Sequence, residues 1–199
     1  MKTLDLSRNP AKVHTTMTTN KQLGHFLVGS FLVGKGEDLM VCDPCYEDGD
    51  KQLHKVKPGK WHAYTRISDT DGWGKRNASL VVIHESESYP CGEINFPLGE
   101  VGVDSGQVGI YTMKGWEEFS PSGDDYDKVC ETTLESPLGA GMVDYGVTSS
   151  SGYGDGGYGL FSKTKRGKIV ALEVVFIPEN GDSRFPPEEQ EEAPDHQEE

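Results

Sequence analysis

The sequence predicts an all-β or α+β fold: a mostly antiparallel sheet or sandwich with one short helix and a disordered acidic C-terminal tail. Three observations predict it. Short apolar segments rich in β-branched residues recur at near-regular spacing, with turn residues between them. Glycine accounts for 25 of 199 residues, well above the usual share of about 7%. Only one stretch has helical periodicity, which argues against a parallel sheet built with crossover helices.

Taken in order, residues 1–20 are polar, threonine-rich and without period, and read as an irregular arm. Residues 25–33 (HFLVGSFLV) form an apolar run around Gly29. Such a run suits a buried strand or a bulged strand pair. Leu39–Cys42 is a short apolar strand that Pro44 ends, because proline cannot donate to a sheet ladder. In residues 61–67 (WHAYTRI), Trp61, Ala63, Thr65 and Ile67 alternate with polar positions, as a half-buried strand requires. Asp69-Thr70-Asp71-Gly72 is a turn. Residues 80–84 (LVVIH) are a dense β-branched strand. Residues 101–103 and 107–111 flank a turn or bulge at Asp104-Ser105-Gly106.

The one helix is expected near residues 123–135. Asp124 and Asp125 stand at its start, where carboxylates favour the helix dipole. Tyr126, Val129, Cys130 and Thr133 then mark one face. Residues 144–150 are a further strand, and residues 158–163 and 168–177 form a hairpin across Lys165-Arg166-Gly167. The domain reading is an arm at 1–20, one β-rich domain at 21–178 and a tail at 179–199.

The charge is unevenly spread. Residues 179–199 hold nine acidic residues and one arginine, a net of −8 out of the total −14. The other 178 residues hold 24 acids and 18 bases, a net of −6. A segment so acidic and so poor in apolar residues cannot offset the entropy of ordering it, and reads as a solvated tail. The acidic balance argues against a nucleic-acid partner, which needs clustered lysine and arginine, and against an anionic membrane. No apolar run reaches the ~18 residues of a membrane span. The N-terminal residues have no signal-peptide core. The expected location is cytoplasmic, where the four cysteines would stay reduced.

Three loop motifs could carry chemistry. In Cys42-Asp43-Pro44-Cys45-Tyr46, the thiol spacing fits zinc or redox use, although no second thiol pair accompanies it. The plainer reading is a buried Cys42 and an Asp-Pro turn. In Gly102-Val103-Asp104-Ser105-Gly106-Gln107, the aspartate either caps its own turn or presents a carboxylate and a hydroxyl to a pocket. In residues 151–158 (SGYGDGGY), the glycine density lets the backbone approach a ligand closely. The lysine and helix of a phosphate loop are missing there. The acidic pairs Asp48/Asp50 and Asp69/Asp71 and the Asp124/Asp125/Asp127 group do not follow a calcium-loop pattern. Of the tryptophans, Trp61 is in strand phase and reads as core, while Trp73 and Trp116 could anchor a partner.

The strings Val103-Asp104-Ser105-Gly106-Gln107-Val108-Gly109-Ile110, Gly154-Asp155-Gly156-Gly157-Tyr158 and Gly167-Lys168-Ile169-Val170 … Val174-Val175-Phe176-Ile177 together resemble the domain-of-unknown-function family 4241, found in bacteria and their viruses. Cys42-Asp43-Pro44-Cys45-Tyr46 is similar to an Asp-Pro-Cys-Tyr signature of related small proteins. The resemblance spans residues 25–177. It implies a bacterial or phage setting and a β-rich fold, and it implies no catalytic residue. It also implies that Asp43, Asp104, Gln107 and Asp155 share one locality.

The expected ligand-binding residues are therefore Asp43, Asp104, Ser105, Gln107, Asp155, Gly156, Gly157 and Tyr158, with no metal or cofactor assigned. The leading expectation is a non-enzymatic accessory binding module for a protein or small-molecule ligand, using its glycine-rich loops. The rival is a hydrolase or transferase in which Asp43, Asp104 and Asp155 converge on a polar or phosphorylated small molecule. A third is a purely structural assembly component.

Overall fold

The protein is described by a computed structural model over residues 21–119 and 123–185. Numbered in chain order, its strands form two antiparallel sheets. The larger runs β1 (Lys21–Val33), β4 (Gly59–Asp69), β5 (Lys75–His84), β11 (Lys168–Val175), β10 (Gly156–Lys165) and β6 (Phe96–Val103). The smaller runs β3 (Lys51–Leu53), β2 (Leu39–Cys42), β7 (Gln107–Thr112), β9 (Gly146–Ser150) and β8 (Ala140–Val143). Helices α1 (Met113–Glu118) and α2 (Asp124–Glu135) lie between β7 and β8 in the chain.

The two sheets face each other across one apolar layer. Trp61, Leu80, Val82 and Leu172 from the larger sheet meet Leu39, Val41, Val108 and Ile110 from the smaller, all fully enclosed. Each such side chain contributes about 1.5–3 kcal/mol by leaving water. This is the expected sandwich, and it follows from the alternation that the sequence carries in β4, where Trp61, Ala63, Thr65 and Ile67 are all buried.

Both outer faces are also covered. On the smaller sheet, Met40, Cys42 and Tyr111 pack against Trp116, Phe119 and Val129 from the helical segment. Tyr111 stacks on Trp116 at 5.5 Å between ring centroids, and Trp116 on Phe119 at 5.2 Å. Gly109 makes this possible: a Cβ there would sit inside the Tyr111 ring. On the larger sheet, Val81, Ile83, Phe161 and Val175 are covered by Ile94, Tyr89 and Phe185. Strand β5 is thus buried on both faces from Asn77 to His84, which explains its unbroken apolar run.

Helix α2 falls where its period and acidic first turn place it, with Val129 and Thr133 buried. The short α1 is an addition, capped by the Thr112 hydroxyl, which accepts from the Gly115 amide. Strand β1 departs from the buried reading. It is the edge of its sheet, paired only with β4, and Leu23, Phe26, Leu27 and Leu32 are exposed. Its apolar content serves one face only, where Val28, Phe31 and Val33 reach the core.

Residues 179–185, read from sequence as the start of the tail, lie against the larger sheet. Arg66, 2% exposed, donates to the Ile177 carbonyl at 2.8 Å and pairs with Glu179 at 2.9 Å. Arg184 pairs with Asp182 and Glu173, donates to the Ile94 carbonyl and lies over the Phe161 ring. The expected arm at 1–20 and the tail beyond Phe185 lie outside the described residues. Among the described residues, no helix is long and apolar enough to cross a membrane.

Candidate functional site

The three sequence motifs meet at one end of the sandwich because strand register brings them there. Gln107, the first residue of β7, is opposite Ser150, the last of β9. Gly156, the first of β10, is opposite Val103, the last of β6. The turn 104–106 therefore crosses from one sheet to the other beside the loop 151–155, which makes the same crossing. The Ser151 amide donates to the Gly106 carbonyl at 3.0 Å. Strand β2 pairs Cys42 with Gly109 of β7, so the loop after Cys42 opens at this end too.

Asp43 ties the first two motifs together. Its side chain is fully enclosed. Oδ2 accepts from the Asp104 and Ser105 amides, each at 2.7 Å. Oδ1 accepts from the Cys45 amide at 2.8 Å and from the Ser105 hydroxyl at 2.6 Å. These four donors, with the Cys45 thiol as a fifth, occupy both carboxylate oxygens.

The thiols respond to this setting. Burial pushes the Cys45 thiol up, and its hydrogen bond to the Asp43 carboxylate and that group's charge push further, to about 12. Cys42 is pushed well above the ordinary thiol range, mainly by burial and next by the Asp43 charge. Both hold their protons more firmly than an ordinary thiol, which disfavours a free thiolate nucleophile. Among the described residues, no group of three or more His, Cys, Asp or Glu side chains is placed to hold a metal ion.

The remaining expected site residues divide into inward and outward sets. Gln107 is buried and links β7 to α2: its Oε1 accepts from the Thr133 hydroxyl at 2.8 Å and its Nε2 donates to the Cys130 sulfur at 3.3 Å. Tyr158 is buried and donates to the Gly154 carbonyl at 2.7 Å. Asp104, Asp155, Gly156 and Gly157 are exposed, and Ser105 is half-buried, its hydroxyl donating to the Asp43 carboxylate. The Asp104 carboxylate engages the Tyr46 hydroxyl and, with a smaller effect of burial, raises it to about 12. The three loops thus come together, but Asp43 lies beneath them with its oxygens occupied while Asp155 lies at the surface.

A cleft of about 240 Å³ opens beside the second and third motifs, lined by Trp73, Arg76, Gly106 and residues 150–154. Trp73 is 67% exposed and Tyr153 50% exposed, and their rings touch edge to face at 6.1 Å and 70°. Trp73 closes the β4–β5 turn, which Thr70 fastens by accepting from the Trp73 amide and donating its own amide and hydroxyl to the Gly74 carbonyl. Tyr153 rides on a loop whose Gly154 carbonyl accepts from both Ser151 and Tyr158 hydroxyls at 2.7 Å. Gly154 has φ +104°, open to glycine and strained for other residues.

Arg76 is the group that sequence reasoning missed. Its Nε is buried with no acceptor, and its guanidinium makes no ion pair among the described residues. Leaving such a donor unsatisfied costs about 1–3 kcal/mol. Lys75-Arg76 reads in sequence as an ordinary strand start, and nothing local distinguishes it. Of the tryptophans, Trp73 alone is exposed, whereas Trp61 and Trp116 are buried.

Comparison of the chain with protein-family models, with curated proteins and with solved structures finds no match. Chemically, this end of the molecule offers exposed aromatic rings and an arginine with no ion pair among the described residues.

Proposed function

We propose that the protein is a non-catalytic binding module whose ligand seats at the loop end of the sandwich, on the face formed by the turn 70–74 and the loop 151–155. The observation that carries this reading is the division of labour among its polar groups. The enclosed carboxylate, Asp43, has all its acceptor sites filled by the loops it shapes. Trp73 and Tyr153, exposed rings that touch each other, and Arg76, without an ion pair among the described residues, belong to the three residue types most often found as binding hot spots. Catalysis by carboxylates needs a base within reach of a substrate proton, and a base with an accessible lone pair. The resemblance stated from sequence supports a bacterial or phage setting for such an accessory protein.

The reading is tested by mapping a small-molecule library onto the amide and indole resonances of the full chain. Ligand-induced shifts are expected to cluster at Trp73, Arg76 and residues 151–155. Shifts confined to other surfaces would overturn the assignment. So would turnover of an ester or phosphorylated compound that Asp104→Asn abolishes and Trp73→Ala leaves intact.

A further inference from the structure

We infer that the cleft beside Trp73 binds a small planar ring carrying an oxyanion, an aryl carboxylate or aryl phosphate, with the oxyanion on the Arg76 guanidinium and the ring on the Trp73–Tyr153 pair. The inference rests on the loop-end binding reading and narrows it to a chemical class.

The arginine supplies the charge selection. Arg66 of β4, and Arg184 of the segment that lies against the larger sheet, are each furnished with carboxylate and carbonyl acceptors. Arg76 has neither among the described residues, although its Nε is enclosed and it lines an open cleft. In a chain of net charge −14, a guanidinium that pairs with no carboxylate among the described residues is a cation open to an external anion. Its planar fork of donors matches the paired oxygens of carboxylate and phosphate, and partial burial strengthens that match over a contact in open water.

The aromatic pair supplies the ring selection. Trp73 and Tyr153 come from different turns and touch each other edge to face, so each leaves a ring face free for stacking. Both turns are cross-tied by hydrogen bonds, so little ordering accompanies binding. A Cβ added to Gly154 would meet nothing within 4 Å, so the space beside that backbone is open. At about 240 Å³ the cleft falls below the size of drug-scale pockets and suits one ring with its acid group.

The test titrates the full chain with benzoate, phenyl phosphate, inorganic phosphate and benzamide, reading the Trp73 indole resonance. The enclosed Trp61 and Trp116 are internal controls. Benzoate or phenyl phosphate is expected to saturate the Trp73 shift at least tenfold more tightly than neutral benzamide, and the tighter of the two names the oxyanion. Arg76→Gln should abolish that preference while leaving benzamide unchanged. Arg76→Lys, which keeps the charge and loses the fork, should retain part of it and covers the case of a poorly folded glutamine variant. Tyr153→Ala should weaken all three ring probes several-fold. Binding of both benzoate and phenyl phosphate no tighter than that of benzamide, or a preference that survives Arg76→Gln, overturns the oxyanion assignment and leaves a loop-end module standing. Inorganic phosphate binding as tightly as phenyl phosphate overturns the ring assignment. If no probe moves Trp73, the ligand class falls, and the module reading is judged by its own library map.

Discussion

At the scale of single residues, Asp43 shows how a carboxylate in a suggestive motif can be structural. Its donors come from backbone and side chain of two loops distant in sequence, so it fixes their geometry much as a bound ion would. Replacing it tests that role. In Asp43→Asn an amide NH2 would face backbone N–H donors, and charge-assisted bonds would become neutral ones. We expect a stability loss of about 2–4 kcal/mol, read as a lower urea midpoint at unchanged slope. Ser105→Ala should lose about 1.5–3 kcal/mol, the worth of one bond to a charged group. An Asp43→Asn protein as stable as the parent would mean that the carboxylate is held for another purpose. The sequence pointed to Asp43 because an aspartate before a proline is a turn former. It could not say which way the carboxylate faces, since that depends on the amides of Asp104 and Ser105. Arg76 was illegible for the converse reason: what distinguishes it is the absence of a partner, and partners are a property of the folded chain.

At the scale of elements, local pattern carried most of the fold. The strand at Leu39–Cys42, the hairpin of β10 and β11 and the helix α2 all stand where β-branched runs, turn residues and period placed them. Three residues of β3 are too few to show a period. Strands β6 and β7 flank one turn yet join different sheets, a choice made by packing partners that no local window contains. The segment 179–185 is held by Arg184, which contacts Asp182, Glu173, the Ile94 carbonyl and the Phe161 ring. Its hydrogen bonds to Asp182 hold that carboxyl below its ordinary value of 3.8, against the opposing effect of burial. A carboxyl with a depressed folded value stabilises the fold fully above its unfolded value. That contribution is lost as pH falls below about 4 and through the depressed value. Arg184→Met should therefore lower stability by about 1–3 kcal/mol at pH 7 and make the remaining loss between pH 5 and about 2 shallower. Urea titrations at pH 7, 4 and 2.5 check both. Parallel pH profiles for parent and variant would show that the clamp is not formed in solution.

At the scale of the whole molecule, enclosing apolar layers on both faces of both sheets fixes its response to alkali. Burial raises the thiols of Cys42, Cys45 and Cys91 and the phenol of Tyr111 above their ordinary values, with the Asp43 carboxylate adding to the rise at Cys45. Lysine neighbours partly offset the effect at Cys91. Groups of this kind keep their protons in the folded chain after the unfolded chain has lost them. Their contribution is complete below the unfolded thiol value of 9.0 and erodes as pH climbs above it. Each fully shifted group adds a slope of about 1.4 kcal/mol per pH unit. We therefore expect the urea midpoint to hold steady near pH 8 and fall steeply between pH 9 and 10.5. Cys45→Ser should remove one group's share of that slope, because its hydroxyl does not titrate there. A midpoint unchanged up to pH 10.5 would mean that these side chains are hydrated in solution, and the covered-sandwich account of the core would fail with it.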